Sequence, residues 1–196
     1  RHIPNTLTLL NLMCGFAATV CAIKGYNDYA SYCIMAGMVL DFSDGFAARL
    51  LKAYSALGKD LDSLADMVTF GIAPGSIVFN LLTAGGMTDL KAFAVAVIVP
   101  AASALRLAKF NNDPGQSSSF RGLATPASAF TVVSVALAAA WTDCRIYDTM
   151  TGSPLFISLL ALFLSVMMLL NARMFSLKFT SLKWKGNEER LIFVAV

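Results

Sequence analysis

Four aspartates, Asp41, Asp44, Asp62 and Asp66, carry the densest chemistry in the chain. With Asp60 they place five of the twelve acidic residues in the stretch from Asp41 to Asp66. The spacing is D-x2-D-G-x2-A-R-x8-G-x3-D-x3-D, with Gly45, Ala48, Arg49 and Gly58 in the other fixed places. Asp41 and Asp44 are three apart and Asp62 and Asp66 four apart, so each pair shares one face of a helix. Two neighbouring helices would then aim four carboxylates at one point. In apolar surroundings such charges repel and are forced to protonate. Two divalent cations would cancel them, and paired carboxylates on facing helices are a way to build such a site. Carboxylate oxygens are hard ligands, suited to Mg2+ or Mn2+. Gly45 and Ala48 lack bulk, so a flat group or a phosphate can approach the backbone. Arg49, one turn beyond Gly45, can make a forked contact to phosphate. Gly58 is expected to turn the chain tightly into the next helix. The plainer alternative, Asp and Arg pairing only to stabilise a bundle, fits poorly, because ionisable groups inside apolar spans are costly and usually functional.

The elements that must hold these groups are apolar. Of 196 residues, 57% are hydrophobic and 14% charged, and mean hydropathy is +0.68. A soluble domain of this size carries more charge. Apolar runs near the roughly 20 residues needed to cross a bilayer recur along the chain. We expect an all-α integral membrane protein, a single domain over residues 1–196 built as a bundle of six transmembrane helices. The spans are read as Asn5–Ile23, Tyr29–Leu51, Asp60–Leu82, Leu90–Phe110, Leu123–Trp141 and Ser153–Ala172. Pro74, Pro100 and Pro126 are read as kinks inside spans. The opening lacks the pattern of a cleavable signal peptide. The chain begins at Arg1 without Met, and Leu191–Val196 reads as the truncated start of a further helix. The basic tail Phe175–Gly186 is expected to lie along an anionic leaflet.

Charge sets the orientation. With six alternating spans, twelve Lys and Arg fall on one side and three, Lys24, Lys91 and Arg145, on the other. By the positive-inside rule the larger set is cytoplasmic. The four aspartates then converge near the cytoplasmic face of the inner membrane. A cation channel or carrier would need acids spread across the bilayer depth, and these cluster at one level. One histidine, His2, leaves no basis for a His-based triad, and Cys14, Cys21, Cys33 and Cys144 show no metal-ligand spacing. Nothing in the chain points to nucleic acid.

The motif resembles, over Asp41–Asp66, the signature of the CDP-alcohol phosphotransferase family. Flanking segments resemble its CDP-diacylglycerol–serine O-phosphatidyltransferase branch. They are Ile3–Asn11, Ser63–Pro74, Arg106–Asn111 and Phe120–Pro126, with Ala124 and Lys109 departing from the usual residues. The resemblance implies a six-helix homodimer that replaces CMP on a CDP-linked lipid with an alcohol. It implies that Asp41, Asp44, Asp62 and Asp66 hold two metal ions, Mg2+ or Mn2+, and that Asp66 also acts as general base. Gly45, Ala48 and Arg49 would contact the CDP part, with Ser55 a nucleotide contact or an ordinary loop serine. Asn5 and Thr8 would touch the phosphates or cap the first helix. Arg106, Lys109 and Arg121 are candidates for the acceptor; for Lys109 and Arg121, anchoring at the interface stays equally open. CDP-diacylglycerol and L-serine are the implied substrates and CMP a product. Glycerol 3-phosphate or inositol phosphate remain alternative acceptors.

Overall fold

The computed structural model describes residues 2–51, 55–112, 122–141 and 149–170. Six long helices account for most of them: α1 (His2–Ile23), α2 (Asn27–Leu50), α3 (Ala56–Ala84), α4 (Asp89–Asn112), α5 (Thr125–Trp141) and α6 (Pro154–Leu169). No described residue is in a strand. The expected further helix at Leu191–Val196, the tail Phe175–Gly186, Arg121 and Cys144 lie outside the described residues.

Helix α3 is the centre of the bundle and packs against all five others. Its buried side chains Phe70, Ile77, Val78 and Leu82 meet Ile34 of α2, Val99 of α4, Val132 of α5 and Ile157 of α6. Small residues let the backbones approach. A Cβ at Gly15 of α1 would collide with the backbone and hydroxyl of Thr69. One at Gly37 of α2 would sit 2.6 Å from the Thr69 methyl. Thr69 Oγ1 also donates to the Asn11 carbonyl at 3.0 Å. Three helices are thus locked at one level, next to the aspartates.

Proline chemistry explains the irregularities. Residues Met67–Ile72 of α3 form π-helical turns, two residues ahead of Pro74. In α4 the regular helix is interrupted after Ala96, the residue whose carbonyl the missing N–H of Pro100 cannot reach. Pro126 differs from the expectation: it is the second residue of α5, where a first-turn proline leaves no helix hydrogen bond unmade, so it kinks nothing. The start of α3 differs too. Ser55 caps it, its Oγ accepting from Gly58 N–H at 3.0 Å, so the helix begins at Ala56 rather than Asp60. Gly58 lies within that first turn and has no positive φ. What it provides is space: a Cβ there would stand 3.0 Å from Ser55 Oγ and 3.3 Å from Asn5 Oδ1.

Three helices are long and apolar enough to cross a membrane, Pro4–Ile23, Ala56–Ala84 and Asp89–Asn112. Helices α5 and α6 are apolar but shorter, 17 and 16 residues, or about 25 Å at 1.5 Å per residue. Helix α2 has 24 residues, but Asp28, Asp41, Asp44 and Arg49 lower its hydropathy. Large apolar side chains such as Phe16, Val39, Leu155 and Phe163 face outward. This is the make-up of a helical membrane protein.

Candidate active site

The cavity at one end of the bundle is built from α1, α2, the first turns of α3 and the last turn of α4. It encloses about 560 Å³ and is lined by Pro4, Asn5, Thr8, Asp44, Gly45, Ala48, Arg49, Ser55, Gly58, Lys59, Asp62 and Phe110. Its size is that of a small-molecule site.

Helix α1 contributes Asn5 and Thr8. Both lie inside the helix, which starts at His2, so neither is its cap. Thr8 Oγ1 is 2.6 Å from Asp44 Oδ2 and 3.0 Å from the Pro4 carbonyl. Its single proton goes to the carboxylate, the shorter and charge-assisted bond. Asp44 is thereby fixed against α1.

Helix α2 presents Gly45, Ala48 and Arg49 along the cavity. Among the described residues, a Cβ at Gly45 would meet only an Arg49 nitrogen, at 3.8 Å, so they leave the space over this glycine open. Arg49 is exposed, and its Nε donates to the Gly45 carbonyl at 3.0 Å. Among the described residues no hydrogen bond takes its other four N–H donors, and Arg49 lines the cavity.

Asp41, Asp62 and Asp66 form a tight cluster. One carboxylate oxygen from each lies within 4.8 Å of the others, and all three residues are partly buried. Asp44 stands beside this group, turned to Thr8. The i, i+4 spacing puts Asp62 and Asp66 on one face of α3, and α2 brings Asp41 across. Three hard oxygen donors so close together fit a divalent cation such as Mg2+ or Mn2+.

Arg106 of α4 is buried, 9% exposed, and close enough to Asp66 to interact electrostatically. Its Nη1 donates to Thr125 Oγ1 at 3.2 Å. Lys109 is exposed and does not line the cavity. Arg121 falls outside the described residues.

Three residues of this site have no assigned role in the sequence reading. Asn11 is fully buried, and its Nδ2 is 3.5 Å from Asp66 Oδ1. Lys59, counted there only as a cytoplasmic charge, lines the cavity and donates to the Asn111 carbonyl at 3.0 Å. Thr125 holds Arg106. A signal for Asn11 existed: Thr8, Asn11 and Gly15 follow one another at helical spacing, a polar and small stripe on an otherwise apolar helix.

A polytopic helical protein with an acid-lined, small-molecule cavity at one end of its bundle is the class that fold and site define. Residues 1–177 match the family model described as CDP-alcohol phosphatidyltransferase, and the chain belongs to that family. Similar proteins include the CDP-diacylglycerol–serine O-phosphatidyltransferase of Bacillus subtilis (strain 168), 36% identical over 135 residues, 68% of this chain and 74% of that protein. The protein of the same name in Saccharomyces cerevisiae is 34% identical over 151 residues, 69% of this chain and 53% of the other. An archaetidylserine synthase of Methanothermobacter thermautotrophicus is 28% identical over 136 residues, covering 67% and 56%. The matched region is thus most of the Bacillus protein and little more than half of the other two.

Proposed function

We propose that the chain transfers the phosphatidyl group of CDP-diacylglycerol to the hydroxyl of L-serine, giving phosphatidylserine and CMP. The observation that carries this reading is convergence on one cavity. The Thr8–Asp44 pair, Gly45, Ala48, Arg49 and Ser55 line the same space as Asp62, whose carboxylate belongs to the three-acid cluster. Serine as acceptor is supported by the names of the relatives, and phosphatidyl transfer by the family.

In this reading Arg49, with Asn5, Thr8 and Ser55, holds the CDP head, and the open backbone at Gly45 and Ala48 admits it. The diacyl tails stay in the bilayer. Asp41, Asp44, Asp62 and Asp66 would hold two divalent cations, Mg2+ or Mn2+, whose charge offsets that of the diphosphate and of the leaving CMP. Asp66 accepts the proton of the serine hydroxyl. The hydroxyl oxygen bonds to the phosphorus that carries diacylglycerol, and the bond from that phosphorus to the CMP oxygen breaks, its electrons leaving with CMP. No covalent enzyme intermediate is needed. Arg106 takes the serine carboxylate, with Lys109 and Arg121 as further basic groups at the acceptor side. The working form is a homodimer with six spans per protomer, its cavity open to the cytoplasm.

The test of the base is Asp66→Asn in purified protein, assayed for CMP release with CDP-diacylglycerol, L-serine and Mn2+ or Mg2+. The rate should fall by about 10²- to 10⁴-fold, while size-exclusion chromatography shows a folded dimer. Turnover near the wild-type rate would remove Asp66 from that role.

A further inference from the structure

Arg106 is an unusual arginine for a packed helix interface. It is buried, yet its one hydrogen bond to a described residue is the 3.2 Å contact to Thr125 Oγ1. Its Nε is buried without a partner. The edge of the guanidinium that carries Nε and Nη2 is therefore unspent among the described residues. A buried guanidinium with unmade hydrogen bonds is costly, and its planar edge matches a carboxylate in a two-point contact. Asp66 acts on it electrostatically.

Thr125 is held from outside the site. It is fully buried and begins α5. The residues before it are pinned to the end of α6: Leu123 N–H donates to the Met167 carbonyl at 2.9 Å. Gly122, at φ 72°, lies so close that a Cβ would stand 2.6 Å from the Met168 carbonyl. On the other side, Gly71 of α3 brings its backbone against α4, where a Cβ would be 3.1 Å from Ser103 Cβ, one turn before Arg106. The hydroxyl of Thr125 is thus a fixed point, and Nη1 is hung on it.

We infer that Thr125 is a positioning residue: it turns the Arg106 guanidinium so that its free edge reads the carboxylate of an amino-acid acceptor. This rests on the proposed serine reading. Thr125 touches neither substrate; it sets how well the enzyme tells a carboxylate-bearing acceptor from one without.

The experiment compares wild type, Thr125→Val and Thr125→Ser as purified full chains, by CMP release with CDP-diacylglycerol. L-serine and L-serinamide, which has an uncharged amide in place of the carboxylate, are titrated separately. Wild type should prefer serine strongly. Thr125→Val should raise KM for L-serine about tenfold, the worth of one charge-assisted hydrogen bond, and leave KM for CDP-diacylglycerol unchanged. Its preference over serinamide should shrink. Thr125→Ser, which keeps the hydroxyl, should stay within about twofold of wild type. An unchanged KM for serine in Thr125→Val overturns the inference. So does loss that falls on kcat and both KM values alike, or equal loss in Thr125→Ser. If Thr125→Val does not fold, Thr125→Ser and the wild-type preference decide: indifference of wild type to serinamide overturns it. Wild type that uses a phosphorylated alcohol and ignores serine would instead bring down the serine reading, and this inference with it.

Discussion

Gly45 shows how much a single residue can be asked to do. Among the described residues nothing but an Arg49 nitrogen, at 3.8 Å, comes near where its Cβ would be, so their packing does not require glycine there. We propose that the ligand is the reason for glycine. Gly45→Ala should keep or raise the unfolding temperature, because alanine favours a helix interior over glycine by about 1 kcal/mol, and raise KM for CDP-diacylglycerol by about tenfold or more through crowding of the donor. A lowered unfolding temperature with unchanged KM would assign the glycine to packing. The residue scale was also where the sequence was most legible. Asp, Gly and Arg at fixed spacing in apolar spans have few uses, so the motif could be read as chemistry; Asp44, Gly45, Ala48, Arg49, Gly58 and Asp62 line the cavity, and Asp41 and Asp66 cluster with Asp62. Asn11, Lys59 and Thr125 could not be read the same way. A lone amide, a basic residue at a membrane interface and a threonine at a helix start each have ordinary explanations. Their roles depend on which atom of another helix lies opposite.

At the scale of elements, the crossing of α1, α2 and α3 at Thr69 decides where the carboxylates meet. Gly15 is the tightest point, since a Cβ would press into the Thr69 backbone. Gly15→Ala should destabilise the protein by about 1–3 kcal/mol through overpacking and lower its unfolding temperature by several degrees, followed by heating in detergent. No change in unfolding temperature would show that the helices can separate there freely. The positions of the helices were legible because apolar runs and turn residues alternate clearly. Their ends were less so. The start of α3 depends on the Ser55 cap, and the role of Pro126 on whether its helix begins before or at it. The π-helical turns at Met67–Ile72 leave no mark in hydrophobic periodicity, although they fix how Asp66 and the buried Thr69 are phased.

At the scale of the molecule, the cavity with Arg49 and Lys59 and the four aspartates of the motif lie at one end of the bundle. That end is proposed to face the cytoplasm, because Lys and Arg are enriched there. In a cysteine-less background, Asn112→Cys, an exposed position at the cavity end, should resist a membrane-impermeant maleimide added to intact cells and react after permeabilisation. Thr88→Cys, exposed between α3 and α4, should react without it. The opposite pattern would invert the protein. Orientation matters to the chemistry, since L-serine and CMP are water-soluble and must exchange with the compartment the cavity opens to.

The most direct measurement is acceptor-resolved turnover. Purified protein would be given CDP-diacylglycerol and Mn2+ or Mg2+ with labelled L-serine, glycerol 3-phosphate or inositol 1-phosphate in separate reactions, and lipid product and CMP would be counted together. We expect label to enter lipid from serine alone, with one CMP released per serine transferred. CMP release only with a phosphorylated alcohol would keep the metal site and contradict the serine assignment, and folded protein releasing no CMP with any acceptor would contradict the proposed reaction itself.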